Sequence, residues 1–318
     1  MKNILVIGSA GQIGSELVPA LRDRGYNVVA GTSGRTPLPA PLADGPSAVV
    51  NLMARDALAK TVDRFEIDTV FNLAAILSAT AESRPMAAWD VGVNGVIGLL
   101  ELARDRKLSV FTPSSIGVFG PETPHNPTPQ DTVCRPRTMY GITKVAGELL
   151  SDYYRSKYGV DARSLRYPGL SSYVTPPGGG TTDYAVDIYW KAVENGAYEC
   201  PIAAGTYMPM MFMPDALRAA VDLMEADASR LRHFNSFNVN ALSFDPEGIA
   251  ASIRRRIPGF RLSYRVNPLL QGIAESWPDT LDDMAAREEW DWKPEYSLDE
   301  MTDIMLREIA KRLKKTAA

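Results

Sequence analysis

The sequence predicts an α/β protein built on a doubly wound parallel sheet, with a smaller C-terminal domain. Three observations carry that prediction. Short apolar runs alternate with helical patterns from Ile4 to about Tyr167. The first runs are unbroken rather than alternating, as expected of strands buried on both faces. The alternation then becomes irregular from Leu170, where a second unit is expected to begin.

The elements follow in order. Ile4-Leu5-Val6-Ile7 reads as the first strand. Gly8, Gly11 and Gly14 form a GxxGxxG turn, and Ser15 to Asp23 carries apolar residues at helical spacing. A strand, a glycine-rich turn and a helix form the opening unit of a dinucleotide-binding Rossmann sheet, in which backbone amides at the helix start approach a pyrophosphate. Tyr26 to Ala30 is the second strand, Ser47 to Leu52 the third, and Ala54 to Glu66 a helix. Thr69 to Ala75 is a fourth strand that runs into small residues, Ala74-Ala75, which leave room for a cofactor close to the backbone. Ala87 to Arg106 reads as one long helix, Leu108 to Thr112 as a fifth strand ending at Pro113-Ser114-Ser115, and Ala162 to Tyr167 as a sixth. Ligands of such sheets bind at the carboxyl ends of the strands, which puts Ser115 on the ligand edge. Strands are further expected at Met208 to Met213 and Phe234 to Val239, and helices at Pro214 to Ala226, near 246–256 and near 298–314. The expected division is 1–170 with about 214–240 as the Rossmann domain, and 171–213 with 241–318 as the smaller, substrate-binding one.

The totals narrow the functional class. Of 318 residues, 45% are hydrophobic and 23% charged, with a net charge of -4 and both signs interspersed. No basic footprint for nucleic acid or an anionic membrane is present. No apolar run approaches the roughly 20 residues of a membrane span. Met1 leads directly into strand-like sequence without a leader pattern, so a cytoplasmic setting is expected. The two cysteines, Cys134 and Cys200, and the two histidines, His125 and His233, lack metal-ligand spacing, and no metal site is expected. Both histidines read as surface or packing residues.

Tyr140-Gly141-Ile142-Thr143-Lys144 places a phenol and an ammonium one helical turn apart on one face. A cation beside a phenol favours the phenolate, the form a general base needs. Taken alone, this spacing equally describes a surface tyrosine near a surface lysine. After the second strand a carboxylate for the adenosine ribose is expected, yet the sequence there is Gly31-Thr32-Ser33-Gly34-Arg35. Two readings stand: Arg35 with Thr32 and Ser33 takes a 2′-phosphate, or Arg35 opens a solvated loop and hydroxyl and backbone groups hold the ribose.

Gly8/Gly11/Gly14, Asn72-Leu73-Ala74-Ala75, Asn94, Ser114-Ser115-Ile116-Gly117-Val118-Phe119-Gly120, Tyr140-xxx-Lys144 and Leu165-Arg166-Tyr167-Pro168-Gly169 occur in order. Together they resemble the extended short-chain dehydrogenase/reductase family over essentially the whole chain. The resemblance implies a tyrosine base at Tyr140, a lysine at Lys144 that supports it and holds the nicotinamide ribose, and a hydroxyl at Ser115 that orients the substrate oxygen, with Ser114 as a second hydroxyl. It implies NAD against Gly8, Gly11, Gln12, Ile13, Thr32, Ser33, Asn51, Leu52, Leu73, Ala74, Ala75, Asn94, Tyr140, Lys144 and Tyr167, with NADP left open by the missing acid. It also implies a homodimer through helices near 87–106 and 138–157. The apolar positions Val145, Leu149, Leu150 and Tyr153 fit either a partner or the sheet.

Within that family the C-terminal half is similar to the L-threonine 3-dehydrogenases, at Pro177 to Ala185, Met208 to Asp215 and Ser276-Trp277-Pro278 with Asp282-Asp283 and Ala285-Ala286-Arg287. The similarity implies a small-molecule substrate, L-threonine, held by Ser78, Ser114, Ser115, Tyr140, Thr181, Thr182 and Trp277, and its oxidation to 2-amino-3-oxobutanoate with NAD. Trp277 fits core packing as well, and Gly178-Gly179-Gly180 fits either a closing lid or a plain loop. A nucleotide-sugar epimerase or dehydratase is the first alternative, but residues 170–214 hold Lys191 as their only lysine or arginine, a poor set for a diphosphate. A non-catalytic NAD(P)-binding regulator is the second, and it has no need of Ser115, Tyr140 and Lys144 together.

Overall fold

The computed structural model describes residues 1–176, 178 and 180–316; Pro177 and Gly179 of the glycine-rich stretch lie outside the described residues. The strands are β1 (Asn3–Ile7), β2 (Asn27–Thr32), β3 (Ser47–Val49), β4 (Thr69–Asn72), β5 (Ser109–Phe111), β6 (Ser114–Ser115), β7 (Ala162–Arg163), β8 (Leu165–Tyr167), β9 (Gly169–Ser171), β10 (Ala197–Cys200), β11 (Met208–Phe212), β12 (Phe237–Asn238), β13 (Leu242–Phe244) and β14 (Arg261–Tyr264). Six of them form the main sheet, in the order β3-β2-β1-β4-β5-β7, with every pairing parallel. The reversal of order between β1 and β4 is the switch point at which such a sheet opens a ligand crevice.

Side chains of β1 alternate between the two faces, as the pleat requires. Ile4 and Val6 join Leu17, Val18, Leu21 and Ala216, from the helices Gln12–Asp23 and Met213–Glu225. Leu5 and Ile7 join Leu58, Val62, Leu99 and Tyr154 on the opposite face. The doubly wound arrangement follows from these two apolar faces, each of which must be covered. A third core assembles the C-terminal elements: Tyr184, Ile188 and Tyr189 of the helix Tyr184–Asn195 pack with Met208, Met210, Phe212, Ile249 and Met305.

Four expectations need correction. The sixth strand breaks at Ser164, so Ala162–Arg163 pairs with β5 while Leu165–Tyr167 pairs with β6 and β12. The Ser164 hydroxyl bonds Asn235 and accepts the Ser236 amide, which fixes the step. The strand expected from Phe234 contracts to Phe237–Asn238 because Phe234 and Ser236 have left-handed backbone, φ 57° and 62°. The long helix begins at Pro85 and contains a π-helical turn, Asp90–Asn94. Pro85–Arg106 is long and apolar enough to cross a membrane by length and composition, and half of its most apolar window is buried within the fold. Finally, the helix Met284–Trp290 and Trp292, expected in the smaller domain, pack into the main-sheet core through Ala285, Ala286 and Trp290.

Candidate active site

The glycine turn places Gly8 at φ +86°, and the Gly8 and Ser9 amides both donate to the Gly31 carbonyl, binding the turn to the end of β2. A Cβ on Gly14 would stand 2.3 Å from the Gly8 carbonyl oxygen and 2.7 Å from the Ser9 Cα. Only glycine lets the helix start lie this close to the strand end. The helix Gln12–Asp23 has no side-chain cap, so its first-turn amides remain available to an anion. Beyond β4, Leu73, Ala74 and Ala75 follow, and the buried Nδ2 of Asn72 has no partner among the described residues. A close-packed glycine turn, an uncapped helix start and an unsatisfied donor at the crevice fit a dinucleotide.

The helix Met139–Tyr158 carries the central pair. It is capped at Thr138, whose hydroxyl accepts the Gly141 amide at 3.1 Å, and it ends at Gly159 in left-handed backbone, φ 70°. A Cβ on Gly141 would fall 2.1 Å from the Gly117 carbonyl oxygen. This contact sets the Tyr140 end of the helix directly against the segment that follows Ser115. Lys144 donates from Nζ to the Pro113 carbonyl at 2.6 Å, and its ammonium lies 5.5 Å from the centre of the Tyr140 ring. The Ser115 Oγ accepts the Gly117 amide at 3.1 Å. That bond occupies a lone pair and leaves the hydroxyl proton free for another acceptor.

A cleft of about 170 Å³ gathers Ser78, Ser114, Ser115, Tyr140, Lys144, Thr181, Thr182 and Trp277, together with Gln12, Ile13, Leu73, Ala75 and Tyr167. Every residue expected to hold substrate therefore meets in one place. Thr181 is buried, and its hydroxyl has no partner among the described residues. Trp277 serves both roles left open by the sequence: it is buried in the C-terminal core and it walls the cleft. Among the described lining residues, the charged side chains are Lys144 and Asp183, and Leu77, Ile116 and Leu170 supply apolar wall.

Other expected residues take different positions. The Ser114 hydroxyl is committed to Glu148 at 2.5 Å and is not free to act as a second substrate donor. Tyr167 lines the cleft, but its hydroxyl donates to the Ala216 carbonyl at 2.6 Å and is removed from the ligand. The Thr32 hydroxyl bonds the Gly34 amide and the Thr36 carbonyl, and the Ser33 Oγ accepts the Arg35 amide, within an exposed turn. Thr32, Ser33 and Asn51 stand at or just beyond the carboxyl ends of β2 and β3, on the same edge as the glycine turn. Leu52 is buried against Gly95, and Asn94 donates to Asp90 in the π-helical turn; neither lines the cleft. His233 contacts the Glu289 carboxylate at 2.5 Å and stacks edge-on against Phe237, a packing role. Sequence reasoning missed Leu77 and Leu170 as wall residues and passed over Glu148, although Glu148 lies two turns beyond Tyr140 on the same helix face.

The comparisons agree with this geometry. The profile of the NAD dependent epimerase/dehydratase family matches residues 4–239. An uncharacterised epimerase/dehydratase of Staphylococcus haemolyticus is 49% identical over 314 residues, covering 98% of this chain and 99% of the relative. The crystal structure of an L-threonine dehydrogenase from Clostridium difficile superposes with a TM-score of 0.96 at 50% identity, covering 98% of each chain. A monomeric L-threonine 3-dehydrogenase of metagenomic origin superposes with a TM-score of 0.91 at 39% identity, covering 97% of this chain and 99% of the other. The dinucleotide that fits the turn is thus NAD, and the chain belongs to the NAD dependent epimerase/dehydratase family.

Proposed function

We propose that the protein oxidises the C3 hydroxyl of L-threonine to 2-amino-3-oxobutanoate. One observation carries the choice of substrate. The described lining of the cleft offers hydroxyls, an apolar wall and a single cation, Lys144, which is already tied to Pro113. A nucleotide-sugar needs cationic or multiple donor groups for its diphosphate. Lys191, the base in the segment 170–214, is instead paired at the surface with Glu194 at 2.9 Å.

Bound NAD supplies the acceptor for the hydride leaving C3. The residues supply the rest. The Tyr140 oxygen, as phenolate, takes the proton of the C3 hydroxyl as the C3–H bond breaks. Ser115 donates its free hydroxyl proton to the same oxygen and fixes its direction. Lys144 holds the Pro113 carbonyl and keeps a positive charge beside the Tyr140 ring. Thr181 and Thr182 offer hydroxyls, and their backbone offers amides, to the amino acid's polar end. Leu77, Ile116, Leu170 and Trp277 receive its methyl group and limit water.

NADH formation at 340 nm with L-threonine, L-serine, D-threonine and UDP-sugars tests the reading. Turnover confined to L-threonine is expected, and turnover of a UDP-sugar with none of threonine would overturn it.

We also propose a homodimer. Ile142, Leu149 and Tyr153 share one face of the Tyr140 helix and are exposed, and Met86 and Trp89 are exposed on the helical stretch packed beside it. Light scattering at micromolar concentration should give twice the chain mass of 34.8 kDa. A single-chain mass would refute this assembly.

A further inference from the structure

We propose that Glu148 is a positioning residue for Ser115, acting through Ser114. The inference rests on the dehydrogenase reading of the cleft. Tyr140, Lys144 and Glu148 recur every four residues along one helix face. They engage consecutive parts of a single segment. The Tyr140 ring lies against Gly117, the Lys144 ammonium holds the Pro113 carbonyl, and the Glu148 carboxylate accepts the Ser114 hydroxyl at 2.5 Å. Ser115 lies inside the span so gripped.

Glu148 is itself locked in place. Arg166 makes a bidentate pair with it, Nε and one terminal nitrogen each 3.0 Å from a carboxylate oxygen. Both side chains are buried, at 7% and 8% exposure. The remaining terminal nitrogen of Arg166 donates to the Gln130 carbonyl and to Asn238 Oδ1. The Arg166 backbone pairs with Ser114 in the β6–β8 ladder, and Tyr167 pairs with Ser115. The result is a closed ring from Ser114 through the Glu148 carboxylate and the Arg166 guanidinium back to the Ser114 backbone. Neighbouring residues of a strand point to opposite faces. The Ser114 hydroxyl anchored on Glu148 therefore fixes the short strand, and with it the direction in which Ser115 leaves it toward Tyr140 and the cleft.

A buried ion pair with one partner removed is strongly destabilising, so Glu148→Gln alone does not isolate positioning from folding. Ser114→Ala removes only the hydroxyl and leaves the Glu148–Arg166 pair intact. We expect kcat with L-threonine to fall about 10- to 100-fold, the scale of a misplaced reacting group. NADH affinity and thermal midpoint are expected to stay near wild type. In a Glu148→Gln background the same substitution should cost little more, because the two residues act as one unit. Amide exchange in the free protein should quicken across 113–117 in Ser114→Ala. A kcat within threefold of wild type, or a loss shared with weakened NADH binding, would overturn the proposal. A wild-type enzyme inert toward threonine would instead refute the dehydrogenase reading, and the exchange measurement would still judge the anchor: unchanged exchange across 113–117 would overturn it.

Discussion

The Ser172 hydroxyl donates to the Glu16 carboxylate at 2.5 Å, tying the helix that starts at the cofactor turn to the residue just beyond β9. Glu16 is half-buried. Burial raises its pKa to about 7, against the smaller lowering effects of the Ser172 bond and the Arg312 charge. Tyr173 lies close enough to feel the same carboxylate. The unfolded chain releases this proton near 4.5 and the folded protein near 7, so the folded state binds more protons between those values. This group's contribution to stability therefore declines as pH rises through that window. A Glu16→Gln variant, which stays neutral, should gain thermal stability relative to wild type as pH goes from 5 to 7.5. A difference in Tm that is flat across the window would contradict this.

Tyr140→Phe keeps the ring that packs on Gly117 and removes the oxygen. Activity should fall by about 10²- to 10⁴-fold or more, as for loss of a positioned acid–base group, with NADH binding retained. Stopped-flow rates and NADH fluorescence titration give the two quantities. Near-full activity would rule out the assigned proton path.

The Thr181 hydroxyl is buried without a partner among the described residues. An isosteric Thr181→Val change removes an unsatisfied polar atom, so the free protein should be as stable as wild type or more so. If that hydroxyl serves the substrate, KM for L-threonine should rise about 3- to 10-fold, the worth of one neutral hydrogen bond. An unchanged KM would remove Thr181 from the substrate site.

Gly141→Ala would press a methyl group against the Gly117 carbonyl, with Pro136 on the other side. Both neighbours are backbone or ring atoms that yield poorly. A loss on the order of 1–3 kcal/mol is expected from this overpacking. Differential scanning calorimetry should record a lower Tm, and kcat should fall as Tyr140 shifts. A stable, fully active variant would contradict the close approach.

Cofactor choice can be tested at the exposed turn after β2, where no carboxylate stands among Thr32, Ser33 and Gly34. Steady-state kinetics should show the larger kcat/KM with NAD, and measurable use of NADP. Ser33→Asp should reduce kcat/KM with NADP by roughly 10-fold or more, from like-charge repulsion near the 2′-phosphate. A larger kcat/KM with NADP than with NAD in the wild type would refute the stated preference.

Several features were decided by the sequence alone. The unbroken run Ile4 to Ile7, the turn Gly8–Gly11–Gly14 and the small residues after β4 specify a parallel sheet with a dinucleotide edge, because burial on both faces and close backbone approach each leave a local mark. The Tyr140–Lys144 spacing was legible for the same reason: one helical turn relates them. The tertiary structure decided what depends on distant segments. Thr181 and Trp277, nearly a hundred positions apart in sequence, line one cleft only because the C-terminal core closes over the sheet edge. Ser114 and Ser115 are identical in type, adjacent and both at the cleft, yet the hydroxyl of one donates to Glu148 while that of the other accepts the Gly117 amide and keeps its proton for a ligand. No sequence pattern separates them. The pleat of β6 and the Arg166–Glu148 pair beneath it do.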